Sequence, residues 1–520
     1  MNYDHYDVVI AGSGLAALAA AARLLEKGIR KIGVFAPAFG GTPYIAAINF
    51  VLPDNPSGDT PARYFDDMLA AGYGLNDRSL VGAMTAKSAE GYELLSRWGV
   101  EFARKQDGTL LRRHASGSSC PRSLCRTTEL IGVHIERTLK PRLEAEGVEF
   151  HLGMEAVGIV KEGDRAIGLE LKGEDGALRY AYAPIVIAAW GGVGTLLGRS
   201  TYPSDVNGRT LGIAFDAGVK LADLEFLEYE PLVVLNPPGA VGEPCPTAML
   251  GEGAHLLNTD GERFLLAERP QGEAGAPKSF INKMIWKEVA AGRGTGRGGV
   301  LVDLRHIDRN ILKAYPWFFD RLQACGVDPN LQLVEVGPVP HSYSGGIRVD
   351  SGCRSSLKGL YAVGEAAAGF HGACRMAGNA ASQAVLSGML CAEAAAADRV
   401  DPVSTVAPDS SYAEDLEARR LAAEAIAKAA PALGIFRNGG DLREALAGLE
   451  GLLDGEELRK DTCARQSVFA VSLMLRAAIE RKESRGTHLR TDFPETNPKL
   501  QNSITLARGA GNDVLIGRDD

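Results

Sequence analysis

Three glycine-bearing turns, each placed beside a short apolar run, are the stretches of this sequence best suited to hold a phosphate-bearing ligand. Gly12-Ser13-Gly14-Leu15-Ala16-Ala17 follows Tyr6-Asp7-Val8-Val9-Ile10-Ala11 and opens a helix-like stretch reaching about Lys27. In such a turn Gly12 permits the tight bend, Gly14 lets backbone amides approach a pyrophosphate, and a small Ala17 lets helix and strand pack closely. The phosphate then sits at the positive end of the helix dipole. Val186-Ile187-Ala188-Ala189-Trp190-Gly191-Gly192 is a second buried strand, ending in a glycine pair. Gly359-Leu360-Tyr361-Ala362-Val363-Gly364-Glu365 is a third, whose end presents one carboxylate. Strand ends that converge at the switch point of a parallel sheet are where dinucleotides bind. Glu365 reads either as an acceptor for a ribose or ribityl hydroxyl or as a solvated acid favoured at a helix start.

Positioning these turns requires a doubly wound α/β domain. Residues 6–11 and 32–35 are short, continuous and β-branched, the pattern of parallel strands buried on both faces, and the helix between them completes a βαβ unit. Residues 61–100 read as helical, with Tyr64, Met68, Leu69, Met84, Leu94 and Leu95 as core positions. Short strands with turns at Glu162-Gly163-Asp164 and Gly173-Glu174-Asp175-Gly176 make 148–189 an antiparallel meander that returns to a buried strand at 184–189. Residues 232–340 are richer in Pro and Gly and read as an inserted module. An Ala-rich helix is expected over 379–397, a linker over 399–409 and a strongly helical region over 411–485.

The 520 residues are too many for one small core. A net charge of −9 offers no basic field for nucleic acid, and Gly, at 62 residues, exceeds the roughly 7% of average usage. Eight scattered Cys point to a reducing compartment rather than a disulfide scaffold. The N-terminus has neither a basic segment nor a long apolar stretch, and no later stretch reads as apolar enough to span a bilayer, so a cytoplasmic location is the expectation.

Longer matches make the reading specific. The run Gly359–Gly388, with G-L-Y-A-V-G-E, H-G-A-C-R and the helix start at Asn379, resembles the FAD-closing segment of the succinate dehydrogenase/fumarate reductase flavoprotein family, which includes L-aspartate oxidase. Pro340-His341-Ser342-Tyr343-Ser344-Gly345-Gly346-Ile347 is similar to the family's H-Y-x-x-G-G-[IV] segment, and Arg481–His488 to its R-x-E-S-R-G-x-H signature. The resemblance implies a Rossmann-like two-dinucleotide-fold FAD domain (1–231 and 344–400), an inserted α+β capping domain (232–343), a helical C-terminal domain (410–494) and a tail (495–520). It implies FAD at Gly12, Gly14, Ala17, Gly40, Gly41, Ala189, Gly191, Gly192, Glu365, Asn379 and Ala381. Amides at the Asn379 helix start would stabilise negative charge on the reduced ring. Respiratory members bind the flavin covalently through a His near the second strand; Gly40 to Pro53 contains none, so noncovalent FAD is expected.

In the family, dicarboxylates lie between flavin and capping domain, held by two His and an Arg, while a second Arg delivers a proton. Arg375 falls on the carboxylate-binding Arg, whose planar guanidinium suits two parallel hydrogen bonds. His341 falls on one substrate His. The residue-level alternatives are an internal ion pair for Arg375 and a satisfied core position for His341. Elsewhere the pattern breaks. Glu230 replaces the second His, Lys278 the proton-donating Arg, and Thr247 and Leu250 the relay Glu and Arg; Asn207-Gly208-Arg209-Thr210 stands in place of T-G-D-G. An anionic Glu230 would repel a carboxylate by roughly 1 kcal/mol at about 4 Å in water. Succinate or fumarate turnover by the family mechanism is therefore not expected. The favoured substrate is a small organic acid with one carboxylate and a cationic or hydroxylated end, with Glu230 as a general base partnered by Lys278 as the alternative. Competing readings are an electron-transfer subunit working with an iron–sulfur or other redox partner, and an enzyme resembling L-aspartate oxidase. Cys120 and Cys125 read as ordinary thiols, or as a redox pair or cluster half-site, and the nine His show no metal-ligand spacing.

Overall fold

Val8–Ala11, with all four residues fully buried, lies at the centre of a five-stranded sheet. Its order is Leu360–Ala362, Ile185–Ala188, Val8–Ala11, Ile32–Ala36 and Glu149–Leu152, and every pairing is parallel. Strands covered on both faces can be apolar throughout, which is why these segments do not alternate. The computed structural model describes residues 3–115, 117–313, 315–398, 403, 412–510 and 513–519. The expected linker over 399–409 lies almost wholly outside the described residues.

The chain divides into two compact units, one comprising residues 1–197, 203–226 and 342–520, the other residues 198–202 and 227–341. In the first, the Leu15–Glu26 helix packs along the Asn379–Ala397 helix. Both faces are lined by small residues, so the backbones approach closely. By length and composition Asn379–Ala397 is apolar enough to cross a membrane, which corrects the expectation that no stretch is. Buried residues make up 61% of its most apolar window, as in the core helix of a globular unit.

The antiparallel meander is present as Met154–Glu162, Arg165–Gly173 and Leu178–Tyr182, with Tyr3–His5 added in parallel at its edge. Glu149–Leu152, read as part of that meander, instead extends the parallel sheet beside Ile32–Ala36. The helical stretch over 61–100 resolves into Pro61–Ala71, Arg78–Ala86 and Ser88–Arg97. Leu416–Ala429, Gly439–Asp454 and Thr462–Glu480 form the late helices, each started by a side-chain cap: Asp415 on Ala418 N, Asn438 on Asp441 N and Asp461 on Ala464 N. The expected tail is folded. Ser503–Arg508 pairs with Val514–Asp519 and with Leu221–Ala222, burying Ile504 and Leu506 completely. The R-x-E-S-R-G-x-H segment locks this unit from within: Arg481 binds Glu225 at 2.5 Å and Glu483 at 2.9 Å, and Arg485 binds Glu483 at 2.8 Å, all deeply buried.

The second unit is built on a four-stranded sheet, in the order Leu227–Asn236, Val334–Tyr343, Val300–Asp303, His255–Leu257. Helix Lys278–Ala290 packs on Leu227–Asn236. Leu232, Leu256, Ile285, Val302 and Phe318 are among the residues of its own apolar core, each worth about 1.5–3 kcal/mol on burial.

Candidate active site

The first strand delivers the chain to Gly12 at φ +107°, where a Cβ would lie 2.2 Å from the carbonyl oxygen of Ala189. No side chain fits there, so the turn brings the ends of Val8–Ala11 and Ile185–Ala188 together. Gly14 precedes the Leu15–Glu26 helix without supplying a capping side chain, and Leu15 N donates to Thr42 Oγ1 at 2.8 Å. Ala17 is fully buried on that helix. Gly40 N donates to Asp205 Oδ2 at 2.8 Å, and Gly41 precedes the short turn Thr42–Tyr44. At the second strand end, a Cβ on Gly192 would lie 2.7 Å from the carboxyl carbon of Glu365. The glycine pair and the acid of the third segment therefore meet. Glu365 Oε1 accepts from Tyr343 N at 2.8 Å, so the carboxylate is anchored by backbone.

Asn379 opens the Asn379–Ala397 helix, with Ala381 buried in its first turn. Its Oδ1 accepts from Asn49 Nδ2 at 2.7 Å and from Tyr64 OH at 2.8 Å. Burial holds the Tyr64 phenol neutral, raising its pKa well above the ordinary value. Those bonds fix the carboxamide and leave Asn379 Nδ2 a buried donor with no hydrogen-bond partner among the described residues. A buried unsatisfied donor costs about 1–3 kcal/mol. At a helix start it matches an acceptor on a cofactor with carbonyl and ring-nitrogen acceptors, as a flavin has. Thr42, Asn49 and Tyr64 were not singled out for this role by the sequence, because single polar residues inside apolar segments carry no motif.

Arg375 lies on the same segment, four residues before Asn379. It is buried, with Nε on Ser342 Oγ at 3.0 Å and an Nη on Met376 O at 3.2 Å. Beside it, His371 Nε2 meets Gln383 Oε1 at 2.8 Å, while Gln383 Nε2 donates to the carbonyls of Gly364 and Ala367. Since the carboxamide nitrogen is committed to carbonyls, its oxygen must accept, which places the His371 proton on Nε2. Burial first and the Arg375 charge second hold His371 down at about 3, so it is neutral at physiological pH.

In the second unit Lys278, the first residue of its helix, ion-pairs with Glu230. His341 Nε2 lies 3.9 Å from Glu230 Oε2, and His341 Nδ1 lies 2.7 Å from Thr201 Oγ1. The notion of Glu230 as an uncompensated anion is thus corrected: an ammonium neutralises it and an imidazole stands near. Leu250, read as a lost relay Arg, is a core residue, 3% exposed. Arg209 pairs with Glu155 at 2.5 Å. Cys120 and Cys125 are buried free thiols, and burial pushes the Cys125 pKa up, away from thiolate chemistry.

Lys278→Met should destabilise the flavin-loaded protein by about 2 kcal/mol, because it strands a carboxylate that is only 5% exposed. Adding Glu230→Gln should recover much of that loss. Chemical denaturation of the two single variants and the double variant measures the coupling; strict additivity would show that the pair contributes nothing.

A parallel sheet whose strand ends present a glycine turn, a glycine pair and an anchored carboxylate beside a helix start is the architecture of a dinucleotide-binding protein. The model of the FAD binding domain family matches residues 7–381, and that of the fumarate reductase flavoprotein C-terminal family matches residues 429–517. A fumarate reductase (CoM/CoB) subunit of Methanothermobacter marburgensis is 28% identical over 96% of this chain and 97% of its own. L-aspartate oxidase of Caulobacter vibrioides is 32% identical over 94% of each. Among solved structures, E. coli quinol fumarate reductase FrdA superposes with a TM-score of 0.87 at 24% identity, covering 100% of this chain and 97% of that one. The chain belongs to the succinate dehydrogenase/fumarate reductase flavoprotein family, which includes L-aspartate oxidase. It is an FAD-dependent oxidoreductase.

Proposed function

We propose that the protein moves a hydride between noncovalently bound FAD and a small organic acid whose carboxylate is held by Arg375. The observation that carries this reading is the continuity of one segment. Glu365, His371, Arg375 and Asn379 follow one another from the end of strand Leu360–Ala362 to the start of helix Asn379–Ala397, so a buried guanidinium stands in sequence between two positions that we assign to the cofactor. FAD supplies the two-electron acceptor or donor. Arg375 orients the acid, its Nε set by Ser342 Oγ. His341 directly precedes Ser342 in the same strand, and we assign it to the same substrate. Glu230 and Lys278 form the proton-handling pair: the ammonium protonates, or the carboxylate abstracts, according to the direction of reaction. Because Lys278 compensates Glu230, the pair is near-neutral.

An anaerobic screen of enoates, hydroxy acids and amino acids, including fumarate, succinate and L-aspartate, tests this by following flavin reduction or reoxidation. At least one carboxylic acid should change the flavin spectrum, and its amide should not. Equal rates with acid and amide would overturn the carboxylate assignment. Flavin released into solution on acid precipitation supports noncovalent binding; retention in the pellet refutes it.

Two relatives favour a second reading of the electron acceptor. The Methanothermobacter protein is named as a subunit, which favours a redox partner such as an iron–sulfur protein, and the Caulobacter protein as an oxidase, which favours oxygen. Peroxide formed during turnover of the purified chain distinguishes them.

A further inference from the structure

The second unit brings together three metal-ligating side chains that the flavin chemistry does not use. Strands His255–Leu257 and Val300–Asp303 pair antiparallel with His255 directly opposite Asp303. Side chains so opposed are neighbours, their Cβ atoms about 5 Å apart. The chain then turns, and the His306 ring stacks on His255 with centroids 4.3 Å apart. One ligand atom from each of His255, Asp303 and His306 lies within 4.8 Å of the other two. Ligands about 2.0–2.1 Å from a tetrahedral ion stand roughly 3.3 Å apart, so small side-chain rotations close the set.

The surroundings prepare each ligand. His306 Nε2 lies 2.7 Å from Gly253 O. A carbonyl can only accept, so Nε2 donates, which leaves Nδ1 as the ring nitrogen that would face a metal, the outer-sphere arrangement typical of a ligating histidine. Asp303 is gripped by Arg305, Oδ1 on Nε and Oδ2 on an Nη, both at 2.9 Å. Oδ1 also accepts from Arg305 N at 3.1 Å, so the lone pair that remains for a metal is on Oδ2. The nearby Arg263 charge is taken up by Glu273 at 2.5 Å. Two imidazoles and one carboxylate suit Zn²⁺ and its neighbours far better than Ca²⁺ or Mg²⁺.

We propose that His255, Asp303 and His306 bind a divalent transition-metal ion of the Zn²⁺ type, with water completing the coordination on the exposed His306 side. The ion would fasten the turn after Val300–Asp303 to strand His255–Leu257. Sequence spacing could not reveal it, because the set forms only through strand register.

Full-length, flavin-loaded protein is stripped with chelator, desalted and titrated with Co²⁺ alone, then with Zn²⁺. One equivalent of Co²⁺ should bind with visible d–d absorption, Zn²⁺ should displace it, and Zn²⁺ should raise the melting temperature. His306→Ala changes an exposed residue and should retain the flavin spectrum while weakening Co²⁺ at least about tenfold. Asp303→Asn should do the same. Absence of stoichiometric Co²⁺ binding, or equal affinity in both variants, overturns the site.

Discussion

Gly12→Ala should yield protein that cannot hold FAD. The added methyl would lie 2.2 Å from Ala189 O and 2.6 Å from Ala189 C, both backbone atoms at the end of a central strand. No rotamer relieves a Cβ, so relief requires the two strand ends to part. That end is held by Ala189 N donating to Ala11 O at 2.8 Å. The left-handed φ of +107° adds a penalty of about 1–2 kcal/mol for any residue with a Cβ. Parting the strands shifts the amides that would face the pyrophosphate, and misplacement of about 1 Å is enough to lose most of a charge-assisted hydrogen-bond set. The flavin occupancy of purified Gly12→Ala, read from its visible absorbance, should fall at least about 100-fold, with far-UV circular dichroism reporting the remaining fold. Gly14→Ala supplies the graded control. Its Cβ would meet Thr42 Oγ1 at 3.1 Å and Phe39 O at an ordinary 3.9 Å, and its φ is an ordinary −71°, so flavin should be weakened but retained. Equal, full occupancy in both variants would mean that the turn does not cradle the cofactor.

The contrast between these two glycines shows what the sequence could convey. Parallel strands buried on both faces leave continuous β-branched runs, and the glycines that follow them are needed for backbone reasons. Val8–Ala11, Ile185–Ala188 and Leu360–Ala362 were therefore readable from local pattern alone. The Asn379–Ala397 helix was readable in the same way. Side-chain partnerships were not. Glu230 and Lys278 are 48 positions apart and nothing local to either announces the other, so their pairing could be named only as an alternative resting on the family resemblance. Taken alone, Glu230 reads as a repulsive anion; paired, it becomes one half of a compensated couple. Leu250 read as a broken relay because it was weighed against a motif, whereas its surroundings, Met249, Leu256 and Ile285, make it core. Ser503–Arg508 alternates Ile504 and Leu506 inward over too few residues to declare a strand before its partner Val514–Asp519 is known. What depends on register or on distant charges emerges only when the chain is folded.

Arg375→Ala should lower kcat/KM for the active acid by about 10²- to 10⁴-fold. A guanidinium–carboxylate pair makes two charge-assisted hydrogen bonds, each worth about 1.5–3 kcal/mol, and 1.36 kcal/mol corresponds to tenfold. Arg375 is 8% exposed, so water cannot readily replace the lost donors. Arg375→Lys should recover only part of the loss. An ammonium restores charge but not the planar fork, and it forfeits the bond from Nε to Ser342 Oγ that aims the group. Ser342→Ala should therefore behave as a weaker Arg375→Lys, raising KM several-fold with the guanidinium still present. In all three variants the flavin should remain bound, because Glu365 and Asn379 keep their own anchors at Tyr343 N and at Asn49 and Tyr64. A KM-dominated loss identifies ground-state binding of the carboxylate; equal losses in kcat and kcat/KM identify a hold made only as hydride moves. If Arg375→Ala keeps kcat/KM within twofold of the parent on every acid that reduces or reoxidises the flavin, the carboxylate is held elsewhere.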